Sequence, residues 1–279
     1  MSNRLTIIIH SYNSERLIEC IKSALQLGKE IIVIGEEKRE NVLNDLKKFD
    51  ANFIPFPNQG IVEPAREFGI NQVKTDWVFL LDADERMTAE LAREISQIIT
   101  TASVIRNDNN SKTEAVYITH YKVPRKEIVF VKTCLPAGRW LKHGGWWPNY
   151  QTRLIKKSAF VSWPKDIHST PIIKGNGGLL TYPLLHYSQN NIEEIVNRTV
   201  IFEDKESDLL YKADKQAGTL TFFRKFAGEL WRRLIRYGGF LDGSLGIIES
   251  IYQAFSKTIT YIFLYEKRIK KGGSIRSLS

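Results

Sequence analysis

The stretch Asp76–Glu85, DWVFLLDADE, joins a short apolar run to a cluster of acidic residues. The apolar run Trp77–Leu81 is bounded by polar residues on both sides, which predicts a buried strand. Thr88 then stands where an N-cap is needed for a following helix. Asp82 and Asp84 therefore lie between the end of a buried strand and the start of a helix.

The same alternation of strand and helix extends back toward the N-terminus for about eighty residues. Apolar runs between polar turns predict three more strands, Leu5–His10, Glu30–Ile34 and Asn52–Pro55. Helical spacing of apolar residues predicts helices between the strands, the last of them from near Pro64 to about Val73. This order predicts parallel βαβ units in an α/β fold with a mostly parallel central sheet.

Two polar clusters follow predicted strands, His10–Glu15 after the first and Asp82–Glu85 after the fourth. Ligands of such sheets bind at the carboxyl ends of the strands. Asp82 and Asp84 are two residues apart, so their carboxylates can converge on one Mg²⁺ or Mn²⁺ ion, which would also bind substrate phosphates. The alternative is that one of these aspartates only caps the next helix.

Four segments of the sequence resemble family 2 glycosyltransferases, which have the GT-A fold. The resemblance covers roughly Leu5–Tyr187, and its carriers are Thr6–Glu15 (TIIIHSYNSE), Asn58–Asn71 (NQGIVEPAREFGIN), Asp76–Glu85 (DWVFLLDADE) and Gly144–Leu154 (GGWWPNYQTRL). The last segment is similar to the branch that includes lipopolysaccharide-core β-glucosyltransferases. The resemblance implies an inverting transfer from a nucleoside-diphosphate sugar, with a UDP-sugar as the expected donor and Mg²⁺ or Mn²⁺ as the cofactor. The expected acceptor is a glycan or a lipid-linked sugar in cell-envelope polysaccharide or lipopolysaccharide synthesis.

The resemblance also implies roles for individual residues. The residues implied in donor binding are His10, Ser11, Tyr12, Asn13, Glu36, Arg66, Asp82, Ala83, Asp84 and Arg153. The residues implied in metal binding are Asp82, Asp84 and His186. Simpler roles remain open for three of them: Arg66 on a solvated helix face, Arg153 in a structural ion pair, and His186 as an ordinary buried or capping residue.

The sequence departs from the family pattern at two places. Glu36 stands where the family usually has an Asp that binds the base, so the identity of the base is open. The branch commonly has a His-Glu pair that could supply the general base, and this chain has His168-Ser169 instead. Because an acceptor hydroxyl needs a positioned proton acceptor, we expect Asp166 or His168 to take that role. The alternative is a donor-binding or assembly protein of the same fold without turnover.

An aromatic pair, Trp146-Trp147, is the candidate acceptor site. Flat aromatic faces suit sugar rings, whereas core packing or a hydrophobic lid is the alternative role for large aromatic side chains.

The positive charge is concentrated at the C-terminal end. The whole chain has a net charge of +9, from 40 Lys and Arg against 31 Asp and Glu, and residues 222–279 account for 11 of the former and 4 of the latter. Apolar residues recur at helical spacing in Thr219–Tyr237 and Ser244–Lys270. We therefore expect a GT-A domain over residues 1–215 and a basic amphipathic helical tail over 216–279 that contacts anionic lipid. Packing of these helices on the catalytic domain, or a homodimer, is the alternative.

Other features exclude several classes of protein. The sequence has no recognisable nucleic-acid-binding motif and no Walker-type phosphate loop. Cys20 and Cys134 lack metal-binding spacing, the N-terminal apolar stretch is too short for a signal peptide, and no run of 18 apolar residues is present. We expect a cytoplasmic protein that lies peripherally on the inner face of the cell membrane.

Overall fold

The computed structural model describes residues 4–107, 118–131, 135–166, 169–189 and 192–270. These form two compact units. The N-terminal unit comprises Met1–Lys126 and Asn149–Tyr187, and the C-terminal unit comprises Glu127–Pro148 and Ser188–Ser279. This division differs from the expected boundary after residue 215, because the helix before that boundary packs with a helix after it.

The N-terminal unit contains most of the strands. Its strands, two of which run on into the other unit, are β1 (Leu5–Tyr12), β2 (Ile31–Glu36), β3 (Asn52–Pro55), β4 (Trp77–Asp82), β5 (Glu85–Arg86), β6 (Ile118–Val131), β8 (Asn149–Lys156), β9 (Phe160–Ser162), β10 (Ile172–Ile173), β11 (Asn176–Leu179) and β12 (Leu184–Gln189). Its helices are α1 (Leu17–Ala24), α2 (Glu40–Lys48), α3 (Glu63–Gln72), α4 (Ala89–Asn107) and a 3-10 turn at Lys157–Ala159. All four strands predicted from the apolar runs are present.

The main sheet has the strand order β3-β2-β1-β4-β8-β6-β12-β5, with β11 beside β6. Strands β1 to β4 are parallel to one another, as the βαβ alternation predicts. Strand β8 pairs antiparallel with β4, and β6 pairs antiparallel with β8. The sheet is therefore mixed: β1 to β4 of the βαβ units are parallel, and the antiparallel partners β6 and β8 come from the segment that follows α4.

The core lies on both faces of the parallel strands. Ile7 and Ile9 of β1 belong to one buried cluster, whereas Ile8 belongs to the cluster on the opposite face. Phe79 and Leu80 of β4 divide in the same way. Side chains alternate along a strand, so a strand buried on both faces must be a continuous apolar run. Each of these side chains contributes about 1.5–3 kcal/mol when it is fully buried.

The C-terminal unit is mainly helical. It contains β7 (Leu135–Leu141), which pairs antiparallel with the end of β6. Its helices are α5 (Ile192–Lys212), α6 (Thr219–Trp231), a π-helical turn at Arg232–Arg236, a 3-10 turn at Gly239–Asp242 and α7 (Gly243–Lys270). The two helices predicted for the tail are present within a few residues of their expected ends. Within the described ranges, we find no helix long and apolar enough to cross a membrane.

Candidate functional site

Strand register brings the two predicted polar clusters together. His10 lies opposite Asp82 in the β1–β4 pair, and the Ala83 N–H donates a hydrogen bond to the His10 carbonyl at 3.0 Å. On the other side of β1, Tyr12 lies opposite Glu36 of β2. Three strand ends therefore meet at the carboxyl edge of the parallel sheet, where ligands of such folds bind.

A glycine permits the close approach of β1 and β2 at this edge. Gly35 has a φ of 143°, and a Cβ atom added there would lie 1.8 Å from the Ser11 carbonyl oxygen. Beyond the strand, the Asn13 N–H donates to the Glu36 carbonyl at 2.8 Å, and the Asn13 side chain accepts from the Lys38 N–H at 3.1 Å. The turn after β1 is thus joined to the turn after β2 by one backbone hydrogen bond and one hydrogen bond of the Asn13 side chain.

The Asp82 carboxylate lies between two arginines. Arg66 of α3 approaches it at 2.9 Å and Arg153 of β8 at 2.8 Å, while the His10 ring nitrogen Nδ1 lies 3.8 Å away. Arg66 is therefore not on a solvated face: its guanidinium is largely buried and also lies over the Trp163 ring, 5.2 Å from the centroid. Thr88, not Asp82, caps α4 by accepting the Leu91 N–H.

Glu85 is the one member of the acidic cluster to which sequence reasoning gave no role. It is fully buried, its Oε1 lies 2.6 Å from Arg153 Nη2, and its Oε2 accepts the Asp82 backbone N–H at 3.0 Å. Arg125 adds a longer contact at 3.7 Å. The ion pair considered for Arg153 is thus present, and it joins two carboxylates. Arg153 and Glu85 are 68 positions apart in the sequence, so no local sequence pattern indicates their ion pair.

Burial and charge act in opposite directions on these groups. Burial would raise the pKa of Asp82, but Arg153, Arg66 and His10 hold it well below its usual range, so the carboxylate is ionised. Burial raises the pKa of Glu85, and Arg153 offsets part of that effect. Burial also lowers the pKa of His10 to about 4, which leaves the ring neutral at neutral pH.

Several buried polar atoms at this edge have no protein partner in the described part of the chain. They are the hydroxyls of Ser11 and Tyr12, Arg66 Nε, and Arg153 Nε and Nη1. Buried polar groups are nearly always satisfied, and a group of exceptions calls for a water, an ion or a ligand. Most of these atoms are N–H or O–H donors, which suits an anionic ligand rich in acceptor oxygens.

Asp84 and His186 lie side by side next to this cluster. Strand β5 pairs antiparallel with β12, so His186 is opposite Glu85 and the Tyr187 N–H donates to the Asp84 carbonyl at 2.9 Å. The His186 Nε2 lies 3.5 Å from Asp84 Oδ2, and both side chains are partly exposed. Within the described ranges, no group of three or more His, Cys, Asp or Glu forms a complete cage for a metal ion. A pair of ligands fits an Mg²⁺ or Mn²⁺ ion that takes its other ligands from phosphates and water.

Glu36 lies at the end of β2, at the same edge of the sheet. Its Oε1 accepts the Asn58 N–H at 2.9 Å, which ties the end of β2 to the segment before α3. Together with Asp82, it raises the pKa of Tyr12, which burial already raises, to about 12. Glu36 therefore lies where the resemblance implies, although its role toward a base stays a prediction.

Asp166, one of the two candidates for the general base, lies in the segment that follows β9. Asp166 is exposed, and its carbonyl accepts the Ser169 N–H at 3.2 Å. His168 lies outside the described residues. The Ser169 hydroxyl donates to the Pro164 carbonyl at 2.5 Å, and the Ser169 carbonyl accepts from the Trp163 indole at 3.2 Å. The Trp163 ring also lies under the Arg66 guanidinium. Trp163 therefore lies between Ser169 and the group of Asp82, Glu85, Arg66 and Arg153, which we call the ion cluster.

Trp146 and Trp147 belong to the C-terminal unit. The Trp146 ring lies beneath the Arg233 guanidinium, 5.1 Å from its centroid, and the Trp147 ring meets Trp140 edge-on at 5.4 Å. Both tryptophans are partly exposed. Their role toward an acceptor stays a prediction.

Comparison with known proteins supports the class of enzyme that this edge of the sheet suggests. Residues 6–133 match the model of glycosyl transferase family 2. An uncharacterized glycosyltransferase of Rickettsia prowazekii (strain Madrid E) is 26% identical over 98% of this chain and 90% of its own length. The chain is therefore a glycosyltransferase, and its match to the family 2 model covers residues 6–133.

Two solved glycosyltransferases resemble the chain at a distance. The mannosyltransferase PcManGT from Pyrobaculum calidifontis, in complex with GDP-Man and Mn²⁺, is 9% identical with a TM-score of 0.46, over 91% of this chain and 74% of that chain. TarS 1–349 of S. aureus, in complex with UDP-GlcNAc, is 12% identical with a TM-score of 0.40, over 98% of this chain and 93% of that chain.

Proposed function

We propose that this glycosyltransferase binds a nucleoside-diphosphate sugar, with a UDP-sugar as the expected donor, at the carboxyl edge of β1, β2 and β4. The observation that carries the proposal is the group of buried polar atoms on Ser11, Tyr12, Arg66 and Arg153 that have no hydrogen-bond partner among the residues described by the structure. A diphosphate offers acceptor oxygens to the free guanidinium N–H groups, and the hydroxyls suit a ribose or a base.

The ion cluster holds the two arginines in place before a donor arrives. Asp82 binds Arg66 and Arg153, and Glu85 binds Arg153 from the buried side. Arginines that are already oriented lose little conformational freedom when they bind phosphate oxygens. We infer that Asp82 acts chiefly through these arginines, and that Ala83, adjacent to it, lines the donor site.

Asp84 and His186 would hold the divalent cation, Mg²⁺ or Mn²⁺, with Asp82 as the further candidate ligand. Such an ion, when bound, neutralises the negative charge that develops on the departing diphosphate. The neutral His10 ring adds no positive charge at the same edge, so the two arginines remain the fixed cations of this part of the site.

We further propose an inverting transfer in one displacement, with a proton taken from the acceptor hydroxyl by Asp166 or His168. The Ser169 hydroxyl already donates to the Pro164 carbonyl, and serine is a poor base, which favours its neighbours. The acceptor would be a glycan or a lipid-linked sugar of cell-envelope synthesis, with Trp146 and Trp147 as its aromatic contacts. We also propose that the chain works peripherally on the inner face of the cell membrane.

A thermal-shift screen of UDP- and GDP-sugars, each with and without Mn²⁺, tests donor and metal together. A donor present at a hundred times its Kd stabilises the protein by about 2.7 kcal/mol. At roughly 2–4 °C per kcal/mol, the melting temperature should rise by about 5–10 °C with the correct nucleotide sugar and Mn²⁺. EDTA should reverse that rise.

Hydrolysis of the selected donor then separates an enzyme from a binding protein. We expect slow metal-dependent hydrolysis without acceptor, and its loss in Asp84→Ala. The control is Asp45→Ala, a half-buried aspartate that pairs with Lys48 on α2, away from this site, and should keep full activity. Equal hydrolysis by both variants would contradict the assignment of Asp84. Donor binding without turnover would favour a donor-binding or assembly protein of this fold.

A further inference from the structure

Helix α7 exposes a row of large apolar residues, which a helix packed on a water-soluble core normally buries. Its exposed large apolar residues are Ile247, Ile248, Ile251, Phe255, Ile262 and Ile269. Five of them, from Ile248 onward, follow at intervals of three, four, seven and seven residues, which places them on one side of the helix. We refer to these five as the α7 stripe. Its members are between 41% and 62% exposed.

The buried face of the same helix contains polar residues beside the apolar Leu245, Ala254, Tyr261 and Leu264. Glu249, Ser250, Ser256 and Thr260 are all buried, Thr260 completely. In water, polar residues normally face outward, because burial removes them from solvent and requires protein partners instead. The described part of α5 shows a related arrangement: Ser207 is its buried residue, and Val200 and Ile201 are exposed.

Hydrogen bonds join α5 and α7 along this polar face. The Ser256 and Thr260 hydroxyls both donate to the Glu203 carboxylate, and Thr199 and Tyr252 share a hydroxyl hydrogen bond of 2.5 Å. Near the end of α7, Lys267 contacts the side chains of three residues of α5, Asp204, Ser207 and Asp208. We refer to these contacts as the polar seam. Helices held together by polar side chains, with apolar side chains outside, are typical of an apolar solvent.

The charge of this region favours a membrane over a second copy of the chain. Residues 222–279 contain 11 Lys and Arg against 4 Asp and Glu, and exposed Arg224 and Arg236 lie close to α7 in sequence. Helix α6 carries its own exposed apolar residues, among them Leu220 and Phe223. Two such surfaces of equal positive charge repel each other, whereas anionic headgroups attract each of them.

We propose that the α7 stripe inserts into the hydrocarbon boundary of an anionic lipid bilayer, so that α7 lies in the plane of the membrane while the polar seam holds α5 beneath it. The stripe thus deepens the proposed membrane location by naming the surface and the manner of binding: insertion of apolar side chains, to which the attraction between charges is added. The insertion depends on neither donor binding nor sugar transfer.

Sedimentation with lipid vesicles tests this insertion. The probe is a vesicle of phosphatidylcholine with about a third phosphatidylglycerol, at low salt and at about 0.5 M salt, where exposed charges are strongly screened. We expect the wild-type chain to sediment in both conditions, more weakly at high salt, and to bind neutral phosphatidylcholine vesicles several-fold less well. Equal binding to neutral vesicles, or complete release at high salt, would overturn the mode of binding proposed here.

The decisive variant replaces three members of the stripe, Ile248→Ser/Ile251→Ser/Phe255→Ser. We expect its vesicle affinity to fall by at least about tenfold, because each inserted side chain contributes in proportion to its buried carbons. The matched control is Val161→Ser/Ile172→Ser/Leu179→Ser, three apolar residues of the N-terminal unit that are 49%, 52% and 62% exposed. Equal vesicle binding by the two triple variants would refute the proposal.

Two further measurements keep the outcome unambiguous. The helical circular dichroism and the donor-induced thermal shift of the stripe variant should equal those of the wild type, so that lost vesicle binding is not lost folding. If the donor raised the melting temperature of neither the wild type nor the stripe variant, the donor site would be refuted and the membrane result would stand. Sedimentation equilibrium without vesicles should give a monomer; a wild-type dimer that the stripe variant dissociates would mean that a second copy covers the stripe.

Discussion

Strand β1 of the N-terminal unit and helix α7 of the C-terminal unit place isoleucine in opposite environments. In β1, Ile7 and Ile8 are fully buried, and polar groups gather at one edge of the sheet. In α7, Ile248 and Ile251 are exposed, while the Glu203 carboxylate of α5 accepts hydroxyl hydrogen bonds from the inner side of the same helix. The apolar residues of β1 therefore form a core, whereas the α7 stripe is an apolar surface.

Buried charge also has a different purpose in each unit. In the N-terminal unit, Arg153 joins Asp82 and Glu85, and its Nε and Nη1 groups have no partner among the described residues, so a ligand can bind them. In the polar seam, the described contacts of Glu203 are with two hydroxyls of the neighbouring helix. The first cluster leaves bonding capacity for a substrate, whereas the second uses its capacity to join helices.

The largest effect on stability is expected when Arg153 is removed. Arg153→Leu leaves Asp82 and Glu85 buried without their main counter-charge, and breaking a buried ion pair typically costs about 3–5 kcal/mol. Urea unfolding followed by tryptophan fluorescence should show this loss of unfolding free energy. The control is Arg93→Leu, an exposed arginine of α4 that lies 3.6 Å from Glu90, with an expected change of about 1 kcal/mol or less. Similar losses in both variants would mean that the cluster contributes no more than a surface pair.

The parallel half of the sheet could be predicted because its signals are local. The strand at Asn52–Pro55 has its predicted bounds, and the strand ending at Asp82 extends the predicted run by one residue. Apolar runs between turn residues define such strands without knowledge of their partners. Strand β1 exceeds its prediction by Ser11 and Tyr12, because pairing with β2 keeps these polar residues extended beyond the apolar run.

The antiparallel half and the ion cluster could not be predicted in the same way. Strands β6 and β8 are separated in the sequence by residues 132–148, and their mixed composition gives no clear period. Arg153 could be proposed from resemblance, but its bond to Glu85 depends on the fold of both segments. The sequence likewise predicts apolar stripes on the C-terminal helices, but the period does not tell which face lies outward. The packing of α7 against α5 and α6 shows which of its residues lie inward.

The next largest loss of stability is expected when the polar seam is broken. Glu203→Ala leaves the Ser256 and Thr260 hydroxyls without their acceptor, and an unsatisfied buried partner costs about 1–3 kcal/mol. We expect that loss in the unfolding free energy of the C-terminal unit, measured by hydrogen exchange in peptides of α5 and α7. Glu206→Ala on the same helix is the control, because its contact with Lys257 is longer, at 3.6 Å, and more exposed. Equal protection of both variants would show that the seam does not hold the two helices together.

The smallest effect on stability is expected at Ile251, an exposed residue of the α7 stripe. Ile251→Ala removes a side chain that is 46% exposed, and alanine favours helix, so the free energy of unfolding in buffer should change by only about 0.5 kcal/mol. Ile8→Ala, the same change at a fully buried position of β1, should cost about 2–5 kcal/mol. Urea unfolding measures both. A cost at Ile251 as large as that at Ile8 would mean that the α7 stripe is already covered in solution and has no free surface to offer a membrane.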